Sequence, residues 1–191
     1  MHPNPLILAI GDSLVAGYGL PAADAFPAQL ERCLRPAHPN VRVINAGRSG
    51  DTAAGVLRRL PAALSALAAR PDLAIVQVGP NDALRQVPPS AVQSSLDAVL
   101  TELGRCGVPA LLTTVAPPAI LQDRIRPYLA IHDQLARRYE AAVAPFFPAG
   151  ILGRPDMVLA DRMHPNAAAI ALVADALAPV VERLLAHRAA A

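Results

Sequence analysis

The chain has 191 residues, 53% of them hydrophobic but only 3% aromatic, and a formal net charge of +2. So small and dispersed a charge argues against a nucleic-acid partner, and no run approaches the roughly 20 apolar residues of a bilayer span. All 17 basic residues are arginine, which excludes a lysine nucleophile, a lysine Schiff base and the P-loop lysine.

Short apolar runs alternate with longer helical patterns along the chain. The first run, residues 6–10, begins almost directly after Met1. That leaves no room for a signal peptide and predicts a cytoplasmic product, or a periplasmic or secreted one if a leader has been removed. Further runs at 41–45, 73–78 and 110–115 are rich in Val, Ile and Leu and bounded by Gly, Pro or Asn, as buried strands are. A weaker fifth lies at 142–146. Helices are expected over 25–34, 52–69, 90–106 and 126–140, with Pro61 kinking or dividing the second. The last, 165–188, carries Ile170, Val173, Leu177, Val181 and Leu184 on one stripe. Pro165 suits its first turn and biases His164 towards extended backbone, so Asp161 to His164 reads as a turn feeding that helix.

Continuous apolar strands separated by helices predict a parallel sheet covered on both faces, within one domain spanning residues 1–191. Cys33 and Cys106 form no CxxC and are expected as reduced, partly buried thiols. No metal site and no cofactor is expected. Gly17-Tyr18-Gly19-Leu20-Pro21-Ala22 formally matches a dinucleotide fingerprint, but it starts too far beyond the first strand and Pro21 spoils the helix entry. The absence of GxSxG argues against an α/β-hydrolase nucleophile elbow. His132 and Asp133 are expected to face solvent on their helix.

Open parallel sheets bind ligands beyond the carboxyl ends of their strands. Ser13, Gly50 and Asn81 follow the first three runs within a few residues. Ser13 supplies a hydroxyl that His164 can deprotonate, and Asp161 can hold the other ring nitrogen and stabilise the imidazolium. Backbone N–H groups of Ser13 and Gly50, with the Asn81 amide, can meet a tetrahedral oxyanion. Each residue also has a plainer role: Asp12 and Ser13 as helix caps, Asn81 as a turn residue, Asp161 as a complement to a helix dipole. Their joint placement on strand-end loops favours the catalytic reading.

Gly11-Asp12-Ser13-Leu14, Gly79-Pro80-Asn81-Asp82 and Asp161-Arg162-Met163-His164-Pro165-Asn166 resemble the sequence blocks of the SGNH, or GDSL, hydrolases. Supporting stretches are Asn45 to Thr52, Ala25-Phe26-Pro27, Arg59-Leu60-Pro61 and Pro145-Phe146-Phe147, so the similarity covers nearly the whole chain. Within that family the chain is most similar to the bacterial arylesterase and acyl-CoA thioesterase I/lysophospholipase group. The resemblance implies a flavodoxin-like three-layer α/β/α sandwich with about five parallel strands. It implies Ser13 as nucleophile, His164 as base, Asp161 as its partner, and Gly50 and Asn81 completing the oxyanion hole.

Two departures stand out. Pro80 replaces a common glycine and is expected to stiffen its loop. Arg162 replaces another and is expected in a surface ion pair, with orientation of an anionic substrate as the alternative. The apolar segment Pro117-Pro118-Ala119-Ile120-Leu121 is expected to line an acyl pocket, with Ile120 and Leu121 as substrate-binding residues. The expected activity is hydrolysis of a small acyl ester or thioester through an acyl-enzyme. The alternatives are an acetylesterase for carbohydrates or other polar substrates, and a non-catalytic small-ligand binding module.

Overall fold

The structure, a computed structural model, describes residues 4–116 and 122–189. Strands β1 (Leu6–Gly11), β2 (Arg42–Gly47), β3 (Leu73–Gln77), β4 (Ala110–Thr114) and β5 (Ala142–Pro145) form one parallel sheet in the order β2-β1-β3-β4-β5. The helices are α1 (Ser13–Ala16), α2 (Phe26–Leu34), α3 (Ala53–Ser65), α4 (Pro80–Leu84), α5 (Pro89–Arg105), α6 (Gln122–Tyr139) and α7 (Ala167–Ala189).

Alternation along each strand explains the three layers, because successive side chains leave opposite faces of a sheet. Ile7, Ala9, Leu73, Ile75 and Leu111 pack with Phe26, Leu30 and Leu34 of α2 and with Ile170, Val173 and Leu177 of α7. Leu8, Ile10, Ala74, Val76 and Leu112 pack with Val56 and Leu60 of α3, Leu96 and Val99 of α5, and Leu135 of α6. Both strand faces are therefore apolar, which is why the runs read as continuous rather than alternating. Phe26 and Phe146, both fully buried, meet edge to face at 5.1 Å. Among the described residues, no helix is long and apolar enough to cross a membrane.

The chain reverses direction at β1. It moves to β2 on one side, then crosses back through α3 to β3 on the other. A crevice opens at such a switch point, outside the carboxyl ends of the strands. The loops after β1, β2 and β3 meet there.

Of the two outcomes expected for Pro61, division does not occur: α3 runs unbroken from Ala53 to Ser65. Two further expectations are corrected. Thr52 lies outside that helix as its cap, its hydroxyl accepting the Gly55 N–H at 3.1 Å. Pro165 lies outside the first turn of α7, because Asn166 takes the capping position. The Asn166 side chain accepts from the Ala169 N–H at 3.0 Å, and its carbonyl accepts from Ile170. Pro165 instead bridges Val158 in antiparallel fashion. The short helix α4 carries no sequence periodicity of its own and is not among the expected elements, whereas α1 is the helix that the capping alternative for Asp12 implies.

Candidate active site

β1 delivers the nucleophile candidate through a tight exit. A Cβ at Gly11 would lie 2.2 Å from the Gln77 carbonyl oxygen, so only glycine lets β1 run this close to β3 there. The next N–H, that of Asp12, donates to Gln77 O at 3.2 Å. Asp12 then caps α1, its Oδ1 accepting the Leu14 N–H at 2.9 Å. The capping role and the expected contact with His164 coexist, for Ser13 is the first residue of α1 and its hydroxyl lies 3.0 Å from His164 Nε2. Helix α1 closes at Gly17 in the left-handed region, and the Tyr18 N–H also donates to Ser13 O. That turn lays the Tyr18 ring against the His164 imidazole.

The Asp161 to His164 segment is a hydrogen-bonded turn, as the sequence reading expected. Leu159 N–H donates to His164 O at 2.8 Å, and Arg162 N–H donates to Leu159 O at 2.9 Å. Arg162 takes a φ of +56°, unusual for a side chain with a Cβ and a place where glycine would sit without strain. Asp161 Oδ1 accepts the N–H groups of Met163 and His164 at 2.9 and 3.0 Å, while Oδ2 lies 2.7 Å from His164 Nδ1. The His164 N–H above all, then the Met163 N–H and the imidazole, hold the Asp161 carboxyl down to about 2. An ionised carboxylate only accepts, so Nδ1 carries the hydrogen and Nε2 is left to accept from Ser13.

The remaining loops are tied together by polar side chains. Gly50, with a φ of +79°, offers its carbonyl to Arg85 at 2.8 Å. Asn81 lies in α4, behind Pro80 at the helix start, where the missing N–H costs nothing. Its Nδ2 donates to Asp12 Oδ2 at 3.3 Å. Both oxygens of the buried Asp82 accept the Ala53 N–H, joining α4 to the first turn of α3. Burial raises the Asp82 carboxyl above its ordinary range. Burial likewise pushes Asp12, only 1% exposed, up to about 6 against the pull of the Leu14 N–H. Arg59 of α3 forks three ways: to Asp51 at 2.6 Å, to Ala46 O at 2.6 Å and to Gly11 O at 3.0 Å.

Ser13, His164 and Asp161 are thus brought into one chain of hydrogen bonds. Asn81 donates to Asp12, the residue that precedes Ser13, and Gly50 is fastened by Arg85 from the end of α4. Ile120 and Leu121 lie outside the described residues. Among the described residues Arg162 forms no ion pair, contrary to the expected one, and it remains exposed. His132 is corrected too. It is 3% exposed rather than facing solvent, while Asp133 is exposed. The His132 Nδ1 bonds Tyr128 O at 3.1 Å, and its Cε1 would meet a Cβ on Gly79 at 3.5 Å. Burial drives its imidazole towards the neutral form. Cys33 and Cys106 are free and half-buried, as expected.

Sequence reasoning missed Asp12 as a bridge, Tyr18 as a ring partner and Arg59 as a strand clamp. Asp12 had a signal, since a charged residue beside an apolar strand needs a buried partner. Tyr18 had none, because its contact spans the length of the chain.

Residues 9–172 match the model of the GDSL-like Lipase/Acylhydrolase family. Esterase TesA of Pseudomonas aeruginosa is 33% identical over 180 residues, covering 94% of this chain and 89% of the relative. The Escherichia coli protein named thioesterase 1/protease 1/lysophospholipase L1 is 32% identical over 182 residues, covering 95% and 85%. Among solved structures, the crystal structure of TesA superposes with a TM-score of 0.86 at 32% identity, covering 94% of this chain and 99% of that one. AlinE4, described as an SGNH-hydrolase family esterase, superposes with a TM-score of 0.78 at 39% identity, covering 96% and 97%.

Proposed function

We propose, for a chain that belongs to the GDSL-like lipase/acylhydrolase family and hydrolyses acyl esters, that Ser13, His164 and Asp161 carry the reaction. Ser13 Oγ attacks the acyl carbonyl as His164 Nε2 takes its proton, and Asp161 stabilises the imidazolium so formed. The N–H groups of Ser13 and Gly50 and the Asn81 amide meet the negative charge that develops on the carbonyl oxygen. Collapse of the tetrahedral intermediate breaks the bond to the leaving group, which departs with the proton from His164. A water molecule deprotonated by His164 then hydrolyses the acyl-Ser13 ester, and Ser13 recovers its hydrogen. The chain works as one domain in this reading, on small acyl substrates. The relatives' names point to aryl esters, thioesters and lysophospholipids as the substrates to try first.

One observation carries the reading. Two hydrogen bonds, of 2.7 and 3.0 Å, connect Asp161 through both nitrogens of His164 to Ser13, which lies 151 residues before that histidine in sequence. Binding alone requires no base aligned on a hydroxyl, so the geometry favours catalysis over a silent binding module. The test is covalent labelling by a fluorophosphonate beside turnover of a p-nitrophenyl ester. Wild type is expected to label at Ser13 and to turn over, and Ser13→Ala to do neither while keeping its thermal transition. Full turnover by Ser13→Ala would remove Ser13 from the mechanism.

A further inference from the structure

We propose that Asp12 is a positioning residue that decides which end of the Asn81 amide faces the oxyanion, an inference that rests on the reading of Asn81 given above. Asp12 is held on every side. Its N–H is fixed to Gln77 O on β3, its Oδ1 to the Leu14 N–H, and its Oδ2 to Asn81 Nδ2 at 3.3 Å, in a site 1% exposed.

The two ends of an asparagine side chain have nearly the same shape, and a half-turn about its last torsion exchanges a donor for an acceptor. Only the donor end stabilises a developing negative charge. The opposite orientation would aim a carbonyl dipole at it. An ionised carboxylate accepts and cannot donate, so Asp12 draws Nδ2 to itself. Of the two hydrogens on that nitrogen, one is taken by Asp12 and the other is left for substrate.

A protonated Asp12 reverses this logic, because its O–H can donate to Asn81 Oδ1 and favour the turned amide. The charged groups around Asp12 are the imidazole of His164 from the 161–164 turn, Asp51 from the loop after β2 and Asp82 from α4. Arg59 reaches the neighbouring Gly11 O from α3. His164 favours the carboxylate, while the two aspartates and burial oppose it. The donor end is therefore turned to substrate at neutral pH and turned away in mild acid.

Asp12→Asn isolates this effect. Asparagine keeps the α1 cap, since its oxygen can still accept the Leu14 N–H. Doing so turns its own Nδ2 towards Asn81, donor against donor. Asp12→Ser, which also caps well, serves as a second variant should the first fold poorly. The experiment is a double-mutant cycle of Asp12→Asn and Asn81→Ala, with kcat, KM and pH profiles measured on a p-nitrophenyl ester.

Asn81→Ala is expected to lower kcat by about 10²–10³-fold, the usual cost of one oxyanion donor. Asp12→Asn is expected to lower kcat by an amount below that ceiling, with KM little changed and Ser13 still labelled by a fluorophosphonate. In the Asn81→Ala background it is expected to cost almost nothing more, because the two residues act through one hydrogen bond. The acid limb of the wild-type kcat/KM profile is expected to steepen towards two protons, and that of Asn81→Ala to fall with one. Equal loss from Asp12→Asn in both backgrounds would overturn the inference while leaving the Asn81 assignment intact. An unchanged kcat in Asn81→Ala would overturn both.

Discussion

The Tyr18 ring stacks on the imidazole of His164, with centroids 4.3 Å apart and planes inclined by 35°. Asp161 holds that imidazole by one edge, and Tyr18 limits its rotation from the face. Aromatic pairs contribute about 0.5–1.5 kcal/mol beyond burial, and Tyr18 is 49% exposed, so the lower part of that range applies. Tyr18→Ala is expected to lower kcat by several-fold and Tyr18→Phe to leave it nearly unchanged. Equal losses in the two variants would assign the effect to the phenol hydroxyl instead of the ring.

Asp161 supplies three hydrogen-bond contacts to the turn that bears His164. Because those contacts depress its carboxyl to about 2, the carboxylate persists throughout the ordinary assay range. Its contribution to the turn is present above the ordinary aspartate range and is lost only as pH falls towards 2. Loss of activity in mild acid therefore belongs to other groups. Asp161→Asn keeps the shape but offers a donor where His164 Nδ1–H needs an acceptor. A drop in kcat on the order of 10⁴-fold is expected, the effect known for a wrong tautomer in such triads. Steady-state kinetics at pH 7 decide it; a loss below about tenfold would mean that the turn alone orients the ring.

Arg59 closes a different gap. Its guanidinium joins Gly11 O at the end of β1, Ala46 O near the end of β2, and the Asp51 carboxylate beside Gly50. Only a planar fork reaches all three, so Arg59→Lys is not a conservative change. With the Asp51 side chain 9% exposed, removing its partner leaves a nearly buried charge and two carbonyls short of a donor. Arg59→Ala is expected to cost about 3–5 kcal/mol in urea unfolding, as breaking a buried pair does. Arg59→Lys is expected to recover part of the stability but less of the kcat, because the strand ends shift relative to one another.

The strands were legible because both sheet faces are buried, which leaves uninterrupted apolar runs such as Leu73 to Val76. The residues gathered at their ends were legible because Ser13 and Asn81 stand in short motifs just beyond β1 and β3, and His164 in one shortly before α7. Contacts made by one side chain across many residues left no local trace. Tyr18 on His164, Arg59 on Gly11 O and Asp12 on Asn81 depend on which loops the switch point gathers. Helix interiors misled in two places for a related reason. Pro61 was read by its backbone alone, yet Val56 and Leu60 bury α3 against the sheet and hold it together. His132 was read by its polarity, yet it lies one position from Ile131 on the buried side of α6.

The buried aromatic cluster of Phe26, Phe146 and Phe147 offers a direct check on the core. Phe146 is wholly buried, edge to face with both Phe26 and Phe147, and its N–H donates to Thr114 O at 2.8 Å. Truncating such a ring removes its transfer energy and leaves a cavity. Phe146→Ala is expected to destabilise the fold by about 3–5 kcal/mol. Phe146→Leu is expected to cost clearly less. A loss under about 1 kcal/mol for the alanine variant in urea unfolding would mean that α2 and α7 close the gap.

Asp12 also ties stability to pH. Burial raises its carboxyl from 3.8 to about 6, so the folded chain holds that proton more tightly than the unfolded chain does. The resulting stabilisation is complete below the unfolded value and is lost as pH rises through about 6. A rise of about two units corresponds to roughly 3 kcal/mol at most. Comparison with Asp12→Asn removes the contributions of Asp82 and the other carboxylates, which both chains share. Between pH 8 and pH 5, wild type is expected to gain stability relative to the variant, seen as a converging or crossing pair of urea midpoints. Parallel profiles would show that Asp12 enters the folded chain as a carboxylate without penalty, its two N–H donors having replaced the water it gave up.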